Sequence, residues 1–451
     1  MRVHTLVVEI GSTITKVSAF SSLKEKNPRY LGKGIAKTTV DEGDVTKGLE
    51  RAIDDLKNKL GADKLTWTHL FGNSSAAGGL KMTVHGLVLE MTAKAAKEAA
   101  LGAGAIVKLI TAGLITPYDL KKIEEIKPNI ILLSGGVDFG EDRIVVENAK
   151  RLSTISIKPP VVFAGNRAVR DIVKDIFKSK GFKIYITENV YPEIDKLNIE
   201  PVRKVIQGVF EEHIIHAPGM EEIRNWVEGD IIPTPGAVMN SFMLLYKEIG
   251  DIMGFDVGGA TTDVHSVTKG KKDKDSVVIY PEPIAKRTVE GDLGVYVSAK
   301  NVLDEIDPLN REEIEKKFKH LSPIPEKRSE VNLTKKLAEV CVKTALLRHV
   351  GEVRYLYTPT GKIKAIFGKD LRNVKWVVGT GGVFTHIPSM KTFLKRLFKN
   401  TENERLLLPE NPKILIDKYY IFSAMGTISN LYPAGAKKLL LESLGFKDNL
   451  F

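Results

Sequence analysis

The chain has 451 residues, of which 43% are hydrophobic and 27% are charged, and its formal net charge at pH 7 is +11. A chain of this length is too long for one ordinary hydrophobic core, so we expect two or three domains, and the composition excludes an intrinsically disordered protein. The single cysteine excludes a disulfide framework, and the sequence shows neither a secretory leader nor an apolar run of about 18 residues. These features predict an untargeted, cytoplasmic protein without a membrane span.

The excess of positive charge does not by itself predict binding to nucleic acid. Lysines alternate with acidic residues at 121–127 and 311–319, as they do on solvated helix faces. The sequence has no zinc-finger spacing, RNA-recognition signature or basic heptad region, so we expect no nucleic-acid partner. The charge fits solubility, the attraction of ATP or the attraction of an acidic protein surface instead.

An apolar strand at 4–9 opens the chain and leads into the motif Glu9-Ile-Gly-Ser-Thr-Ile-Thr-Lys16. Gly11 lets the backbone turn where a side chain would block a phosphate group, and the hydroxyl-rich turn offers N–H and O–H donors to phosphate oxygens. Lys16 adds a point charge. The residues assigned to phosphate binding in this half are Gly11, Ser12, Thr13, Thr15 and Lys16.

A strand near 14–20 and a helix near 45–60 follow this motif, and strands then alternate with helices from about 66 to 178. The alternation, which includes an Ala/Gly-rich helical segment at 90–105, predicts an α/β domain. Several prolines and glycines between 190 and 250 predict a hinge region or a small connecting helical piece.

The motif of the first strand recurs in the second half of the chain. Residues 254–264 read Gly-Phe-Asp-Val-Gly-Gly-Ala-Thr-Thr-Asp-Val, in which Asp256 and Asp263 are hard oxygen ligands of the kind that Mg2+ prefers. Each copy is followed by a strand ending in Gly-Gly at a similar distance: 135 − 11 = 124 residues from Gly11 and 381 − 258 = 123 residues from Gly258. One copy alone is equally compatible with an ordinary hairpin, but the two together predict a duplicated fold whose hairpins clamp a triphosphate. The residues assigned to the nucleotide in this half are Gly258, Gly259, Thr261, Thr262, Thr380, Gly381 and Gly382.

Two further features of the sequence are less specific for a function. Residues 301–335 predict a charged helical insert that ends in a Pro-rich turn, which is either a solvated surface helix or a contact for a partner protein. His213 and His216 are spaced i, i+3 but have no third metal-ligating residue nearby, so we expect structural or surface histidines.

A family resemblance rests on these motifs. The Glu9 and Asp256 motifs, with Val378-Gly-Thr-Gly-Gly-Val383 as a third element, resemble the phosphate-1, phosphate-2 and adenosine motifs of the actin, Hsp70 and sugar-kinase superfamily. Within it, the chain looks like the MutL or GlmL proteins, which accompany adenosylcobalamin-dependent glutamate mutase and are unrelated to the mismatch-repair protein of the same name. The resemblance runs from about residue 5 to about residue 440. The segments that narrow it are 74–82, 90–105, 131–138, 163–166, 287–295 and 348–351.

The resemblance implies an α/β fold of two duplicated, actin-like (ribonuclease H-like) lobes, 1–250 and 251–451, with a nucleotide cleft between them. It implies Mg-ATP as the ligand, with Glu9, Asp256 and Asp263 as catalytic carboxylates and with Glu9 and Asp256 nearest the metal. The superfamily usually has Asp where this chain has Glu9. The longer carboxylate can hold a metal-bound water only if it retracts by about one methylene, or Glu9 is only a strand-end residue.

By the same resemblance, the chain would hydrolyse ATP and reactivate or maintain an adenosylcobalamin-dependent mutase or aminomutase. The sequence has no D-x-H-x-x-G cobalamin signature, so any cobalamin is expected on the partner. Two alternatives stay open: a small-molecule kinase of the sugar or acetate kinase type, with Asp138 as the base, and a nucleotide-sensing scaffold that does not hydrolyse ATP. The identity of the mutase and the oligomeric state, a homo-oligomer included, also stay open.

Overall fold

The computed structural model describes residues 1–75, 80–103, 105–214, 219–271, 273, 275–279, 281–306, 308–359, 361–399 and 405–446. The chain forms two compact units. Unit 1 comprises Met1–Ala76, Ile215–Val277 and Ile284–Phe451, and unit 2 comprises Ala77–Ile214 and Val278–Pro283. These units divide the chain differently from the expected halves 1–250 and 251–451, and the division into those halves stays a prediction.

The elements alternate along the chain as an α/β protein requires. The strands are β1 (Arg2–Ile10), β2 (Ile14–Ser21), β3 (Arg29–Lys37), β4 (Thr66–Ser74), β5 (Leu80–Gly86), β6 (Ala105–Ala112), β7 (Ile130–Leu133), β8 (Val161–Phe163), β9 (Ile184–Ile186), β10 (Ile232–Pro233), β11 (Ile252–Val257), β12 (Thr262–Val267), β13 (Ser276–Val278), β14 (Ala285–Glu290), β15 (Glu352–Thr358), β16 (Gly361–Phe367), β17 (Trp376–Thr380) and β18 (Lys413–Ile416).

The helices are α1 (Thr46–Lys59), α2 (Lys94–Gly102), α3 (Pro117–Ile126), α4 (Arg143–Leu152), α5 (Arg170–Ser179), α6 (Ile199–Ile214), α7 (Met220–Trp226), α8 (Thr234–Ile249), α9 (Ala299–Val302), α10 (Pro308–Lys317), α11 (Arg328–His349), α12 (Gly382–His386), α13 (Ser389–Lys399), α14 (Phe422–Ile428) and α15 (Pro433–Leu444). Short 3-10 turns lie at Val40–Glu42, Arg167–Val169, Leu303–Glu305 and Phe318–His320, and a π-helical turn spans Leu89–Ala93. In the part of the chain that is described, no helix is both long and apolar enough to cross a bilayer.

Unit 1 contains two sheets of the same design. One has the strand order β3-β2-β1-β4-β10 and the other has the order β14-β12-β11-β17-β18. In each, the first three strands pair antiparallel and the last three pair parallel. The apolar runs of the central strands are buried, as Leu6 in β1 and Phe255 in β11 illustrate. This repeated order confirms the predicted α/β fold with two duplicated, actin-like lobes.

One part of the predicted repeat is wrong. The strand before Gly135-Gly136 is β7, which belongs to the sheet of unit 2. The counterpart of β17 is β4, because each pairs parallel with the central strand of its own sheet. A Gly-Gly pair marks a tight turn after any parallel strand, so equal spacing could not identify the sheet. The residues after Ser75 lie outside the described residues until position 80.

Unit 2 is an open parallel sheet of order β6-β5-β7-β8-β9 with helices α2 to α5 between successive strands. Its central strand β7 is buried throughout, as a parallel strand covered on both faces must be. This is a doubly wound arrangement in which the direction of winding reverses between β5 and β7.

Two segments with less regular sequence patterns are largely helical. The predicted hinge at 190–250 carries α6, α7 and α8, and the prolines at 233 and 235 lie at the start of α8, where a missing N–H is tolerated. The insert at 301–335 is several short helical pieces followed by the start of α11. His213 and His216 cannot be judged, because the side chain of the first and the whole of the second lie outside the described residues.

Candidate functional site

The first predicted phosphate motif is the tight hairpin that joins β1 to β2. Glu9 lies opposite Lys16 across the two strands, and the N–H of Gly11 donates to the carbonyl of Ile14 at 2.9 Å. A Cβ atom on Gly11 would lie 2.6 Å from the Ile14 oxygen, so a side chain at this position would break the turn. The predicted turn at Gly11 is therefore present, and a backbone hydrogen bond closes it.

The second motif forms the same hairpin between β11 and β12. Asp256 lies opposite Asp263, and the N–H of Gly258 donates to the carbonyl of Thr261 at 2.9 Å. The carbonyl of Gly259 accepts hydrogen bonds from the N–H groups of Tyr296 at 2.9 Å and Val297 at 2.7 Å. The loop that follows β14 thus holds the second turn in place.

The two turns touch each other. A Cβ atom built on Gly259 would lie 2.6 Å from the hydroxyl oxygen of Thr13. Thr13 is held from behind, since its carbonyl accepts the N–H of Thr38 at 3.0 Å. Ser12, beside it, is more exposed, and its hydroxyl donates to the carbonyl of Ser75 at 2.9 Å. The structure therefore brings the two predicted phosphate turns together.

A cavity of about 500 Å3 opens beside the meeting point of the turns. This volume is in the range of small-molecule sites. Both hairpin turns, the start of α12, helix α1 and the Pro-rich turn at 322–326 contribute to its wall. Its lining includes Thr13, Gly258, Gly259, Lys59, Gly382 and His386.

Glu9 is part of a buried ion pair. Its Oε2 lies 2.7 Å from Nζ of Lys16 and also accepts the hydroxyl of Ser423. Lys16 donates to the carbonyl of Tyr420 at 2.9 Å, and its Nζ lies 3.4 Å from the centre of the Tyr420 ring. Lys16 is therefore neutralised at the base of the first hairpin, where it was expected as a separate point charge for phosphate.

Asp256 is the least engaged of the three predicted carboxylates. Within the described residues, its side chain has no recorded hydrogen bond or ion pair. Burial, and then the neighbouring carboxylates of Asp263 and Glu9, raise the pKa of Asp256 to about 7. The backbone of Gly381 passes over it, because a Cβ atom there would lie 2.7 Å from Oδ1 of Asp256. Gly381 also has a φ of 91°, which favours glycine.

Asp263 forms a buried ion pair with Arg287. Nη2 of Arg287, on the adjacent strand β14, donates to Oδ1 of Asp263 at 2.8 Å, and both side chains are almost fully buried. Burial raises the pKa of Asp263, while the Arg287 guanidinium opposes that shift. Asp263 can therefore act on a metal only together with Arg287.

The predicted phosphate ligands Thr15 and Thr262 are placed away from the cavity lining. Each is the strand neighbour of Lys16 or Asp263, and successive side chains point to opposite faces of a strand. The hydroxyl of Thr15 lies 3.0 Å from that of Thr38, and Thr262 is fully buried beside the thiol of Cys341. Their placement does not support a role in binding phosphate. Thr261 contributes its carbonyl to the turn.

Thr380 serves another group, the carboxylate of Asp417. Its hydroxyl donates to Oδ2 of Asp417 at 2.9 Å, and that oxygen also accepts the N–H groups of Ile421 at 2.9 Å and Phe422 at 3.1 Å. The hydroxyl of Ser443 donates to the other oxygen at 2.6 Å. Asp417 thus fixes the loop that brings Tyr420 to the cavity. Our sequence analysis did not assign Asp417, although a carboxylate directly after the apolar strand β18 was a usable signal.

Basic groups that the sequence analysis did not assign surround this site. Burial, and then the nearby Lys16, lower the pKa of Lys33 to about 8. His386 lines the cavity, and burial followed by Lys33 and Lys59 lowers its pKa. A nearby anion would favour the protonated, positively charged forms of Lys33 and His386. The electrostatics of the cavity therefore suit a polyanionic ligand.

The carboxylates of this site fit a metal ion that is bound jointly by the protein and by a ligand of the protein. Among the residues described, no three His, Cys, Asp or Glu side chains converge as a metal site. Mg2+ commonly keeps several waters and binds through one or two carboxylates together with substrate phosphates. The unpaired carboxylate of Asp256 meets that requirement, whereas a metal held by protein alone would need more ligands.

Comparisons with solved structures return distant likenesses over most of the chain. An acetone carboxylase without nucleotide is 13% identical, with a TM-score of 0.40, over 95% of this chain and 70% of that one. A diol dehydratase-reactivating factor without nucleotide is 11% identical, with a TM-score of 0.36, over 96% of this chain and 100% of that one. A glycerol dehydratase reactivase is 10% identical, with a TM-score of 0.34, over 95% and 100%. Likenesses this weak say nothing about what this chain binds.

Comparisons of sequence are much stronger. The profile of the MutL protein family matches residues 5–444. Protein MutL of Clostridium tetanomorphum is 38% identical over 459 aligned residues, which cover 97% of this chain and 98% of that protein. The chain therefore belongs to the MutL protein family.

Proposed function

We propose that this chain binds Mg-ATP in the cavity of unit 1 and hydrolyses it. One observation carries the proposal: two hairpins of the same geometry meet at Thr13 and Gly259 and open together onto a cavity of about 500 Å3. Paired turns of this kind present backbone N–H groups to phosphate oxygens from two sides. The nearby Lys33, Lys59 and His386 favour an anion with several charges.

The predicted residues that lie at the two turns and at Gly381-Gly382, together with the three carboxylates, have distinct parts in this proposal. The N–H groups of Gly11 and Gly258 close the turns, so those of Ser12, Thr13 and Gly259 bind the phosphates. Gly381-Gly382 lets the chain pass close to the nucleoside. Asp256 holds Mg2+ or one of its waters, while Asp263 and Glu9 act through their cationic partners, Arg287 and Lys16. Mg2+ supplies charge neutralisation at the phosphates when it is bound, and the side chains orient the attacking water.

The output of hydrolysis is chaperone-like assistance to an adenosylcobalamin-dependent mutase such as glutamate mutase. Membership of the MutL family supports this, and the Clostridium tetanomorphum relative aligns over nearly its whole length. ATP can do work on a partner only if it binds two states of the protein with different affinity. A cleft built from two hairpins on separate sheets supplies such states by closing and opening.

The structure offers little to the kinase alternative. Asp138, the only carboxylate considered as a base, follows β7 in unit 2. Its Oδ1 already accepts the N–H of Arg167 and the side-chain amide of Asn189, each at 3.0 Å. Asp138 therefore holds loops together.

The experiment that tests the proposal is ADP release by the purified chain with Mg-ATP, alone and with glutamate mutase carrying inactivated cofactor. We expect slow turnover that rises with the mutase and restores mutase activity, and we expect Asp256→Asn to abolish both effects. Tight ATP binding without ADP release would favour the sensing scaffold. ADP release that depends on a small-molecule acceptor and ignores the mutase would favour the kinase.

A further inference from the structure

Unit 2 gathers its exposed apolar side chains at one edge of its sheet. In an open parallel sheet, the loops that follow the strands all lie at the carboxyl edge. We define the carboxyl edge of unit 2 by the loops at 86–93, 113–118, 134–143, 164–170 and 187–196. Six large apolar residues of these loops are between 43% and 71% exposed. They are Val88, Leu89, Leu114, Tyr118, Phe139 and Ile194.

The strand order concentrates part of this apolar surface at one point. Leu89 follows β5 and Phe139 follows β7, and the winding of the sheet reverses between these two strands. Reversal sends the two adjacent connections to opposite faces, which leaves a crevice where α/β proteins bind their ligands. Apolar side chains standing beside such a crevice suit an apolar contact.

The backbone at Phe139 is held in an unfavourable conformation. Its φ is 61°, which is uncommon for a bulky residue and costs free energy. Oδ1 of Asn166 accepts the N–H of Phe139 at 2.9 Å and that of Ala168 at 3.0 Å. Asn166 is fully buried, and Asp138 ties the same loop to Asn189 at 3.0 Å. The loop is therefore built to present an exposed aromatic ring in a fixed position.

The charge of this edge has the opposite sign to that of the whole chain. Within the five loops, six acidic and three basic residues are exposed, which gives 6 − 3 = 3 net negative charges, whereas the chain carries +11. The acidic residues are Glu90, Glu141, Asp142, Glu188, Glu193 and Asp195. Electrostatic complementarity then requires a partner with basic side chains around an apolar centre.

We propose that the carboxyl edge of unit 2 is the surface on which this chain binds its client protein, through an apolar patch of that protein bordered by basic side chains. The inference rests on the proposed function for the identity of the client, an adenosylcobalamin-dependent mutase. It adds that the binding surface lies on unit 2, whereas the nucleotide motifs belong to unit 1. Exposed aromatic anchors at the centre of a patch commonly carry most of the binding energy.

The test is hydrogen exchange of the full chain, with and without glutamate mutase, followed by affinity measurements on variants. We expect protection of 86–93 and 134–143, and a dissociation constant at least tenfold weaker for the double variant Leu89→Ser, Phe139→Asn. Asn tolerates the positive φ at position 139, so the loop should keep its shape. Leu431→Ser, at a site in unit 1 that is 61% exposed, is the matched control and should bind as the unaltered chain does.

Four results would overturn the inference. Binding with protection elsewhere, or undiminished binding by the double variant, would leave the proposed function standing and remove unit 2 as the docking surface. Protection of the edge by a second copy of this chain, seen without the mutase, would make the edge a self-association surface. No binding of the mutase would overturn both this inference and the proposed client, while ADP release by the chain alone would still report on the site in unit 1.

Discussion

The hydroxyl of Thr13 and the backbone of Gly259 occupy adjoining space, so close that a methyl group on Gly259 would lie 2.6 Å from Oγ1 of Thr13. These residues come from the two copies of the hairpin, on two different sheets of unit 1. Real Cβ atoms do not approach an oxygen this closely, so with even the smallest side chain at position 259 the Thr13 side chain or the turns must move. The spacing of the phosphate-binding groups therefore depends on a glycine in one turn and a threonine in the other.

Gly259→Ala should weaken ATP binding by at least tenfold, or about 1.4 kcal/mol, because the turns can no longer close on the same phosphates. Calorimetric titration with Mg-ATP measures this directly. Gly291→Ala is the matched control, since a Cβ atom there would meet nothing within 4 Å. Equal losses in both variants would mean that the Thr13–Gly259 contact has no special role.

Asp256→Asn should lower ATP hydrolysis by roughly 100-fold or more, the size of effect seen when one group that stabilises developing charge is removed. The same change should raise the stability of the nucleotide-free protein at pH 8. Burial and two neighbouring carboxylates raise the pKa of Asp256 to about 7 in the folded state. In the unfolded chain the pKa of an aspartate is near 3.9, so the wild-type protein loses stability as the pH rises from about 4 to about 7, whereas an amide cannot ionise.

Thermal unfolding of both proteins at pH 5 and pH 8, without nucleotide or Mg2+, measures this effect. The advantage of the Asn variant should be large at pH 8 and small at pH 5. A variant that is less stable at pH 8 would show that the ionised Asp256 has a favourable partner in the folded protein.

Some residues of the site could be predicted from the sequence and others could not, for a physical reason. Gly11 and Gly258 were identified because a glycine after a buried strand has a local cause, the turn itself. Asp417 was missed because its partners Thr380 and Ser443 are distant in sequence and only the fold brings them together. The motif did not reveal which face of the strand Thr262 lies on, because that face depends on strand register.

The same contrast holds for the fold. The alternation of strands and helices predicted an α/β chain because its periods are local properties of the sequence. The insertion of unit 2 between β4 and β10 was not predicted, because an insertion leaves the pattern of each strand unchanged. Only hydrogen bonding between strands reveals which strand belongs to which sheet.

His85→Gln should reduce the loss of stability of unit 2 in acid. His85 is fully buried on β5, with its ring nitrogens 2.8 Å from the hydroxyl of Thr111 and 3.0 Å from that of Thr83. Burial lowers the pKa of His85 to about 3, while in the unfolded chain it is near 6.5. Between those values the unfolded chain binds the extra proton, so stability falls as the pH falls, by up to about 1.4 kcal/mol per pH unit.

Urea unfolding between pH 7 and pH 4.5 measures this slope, with the exchange of amides in β5 and β7 reporting on unit 2. The wild-type slope should exceed that of the Gln variant, whatever the absolute stabilities. Identical slopes would mean that groups other than His85 cause the loss of stability of unit 2 in acid.

Arg287→Met should destabilise unit 1 by about 3–5 kcal/mol, because it leaves the carboxylate of Asp263 buried without its cation. The two side chains are almost fully buried and 2.8 Å apart, so water cannot replace the guanidinium. Asp263→Asn should cost less, since a neutral amide has a smaller desolvation penalty than an unpaired charge. The double variant should recover most of the loss of Arg287→Met, and chemical denaturation of all four proteins gives the coupling energy. Additive losses would mean that the pair contributes no mutual stabilisation.

ADP release by the double variant then separates the two roles of Asp263. Restored stability without restored hydrolysis would assign the carboxylate to the chemistry of the site as well as to its packing.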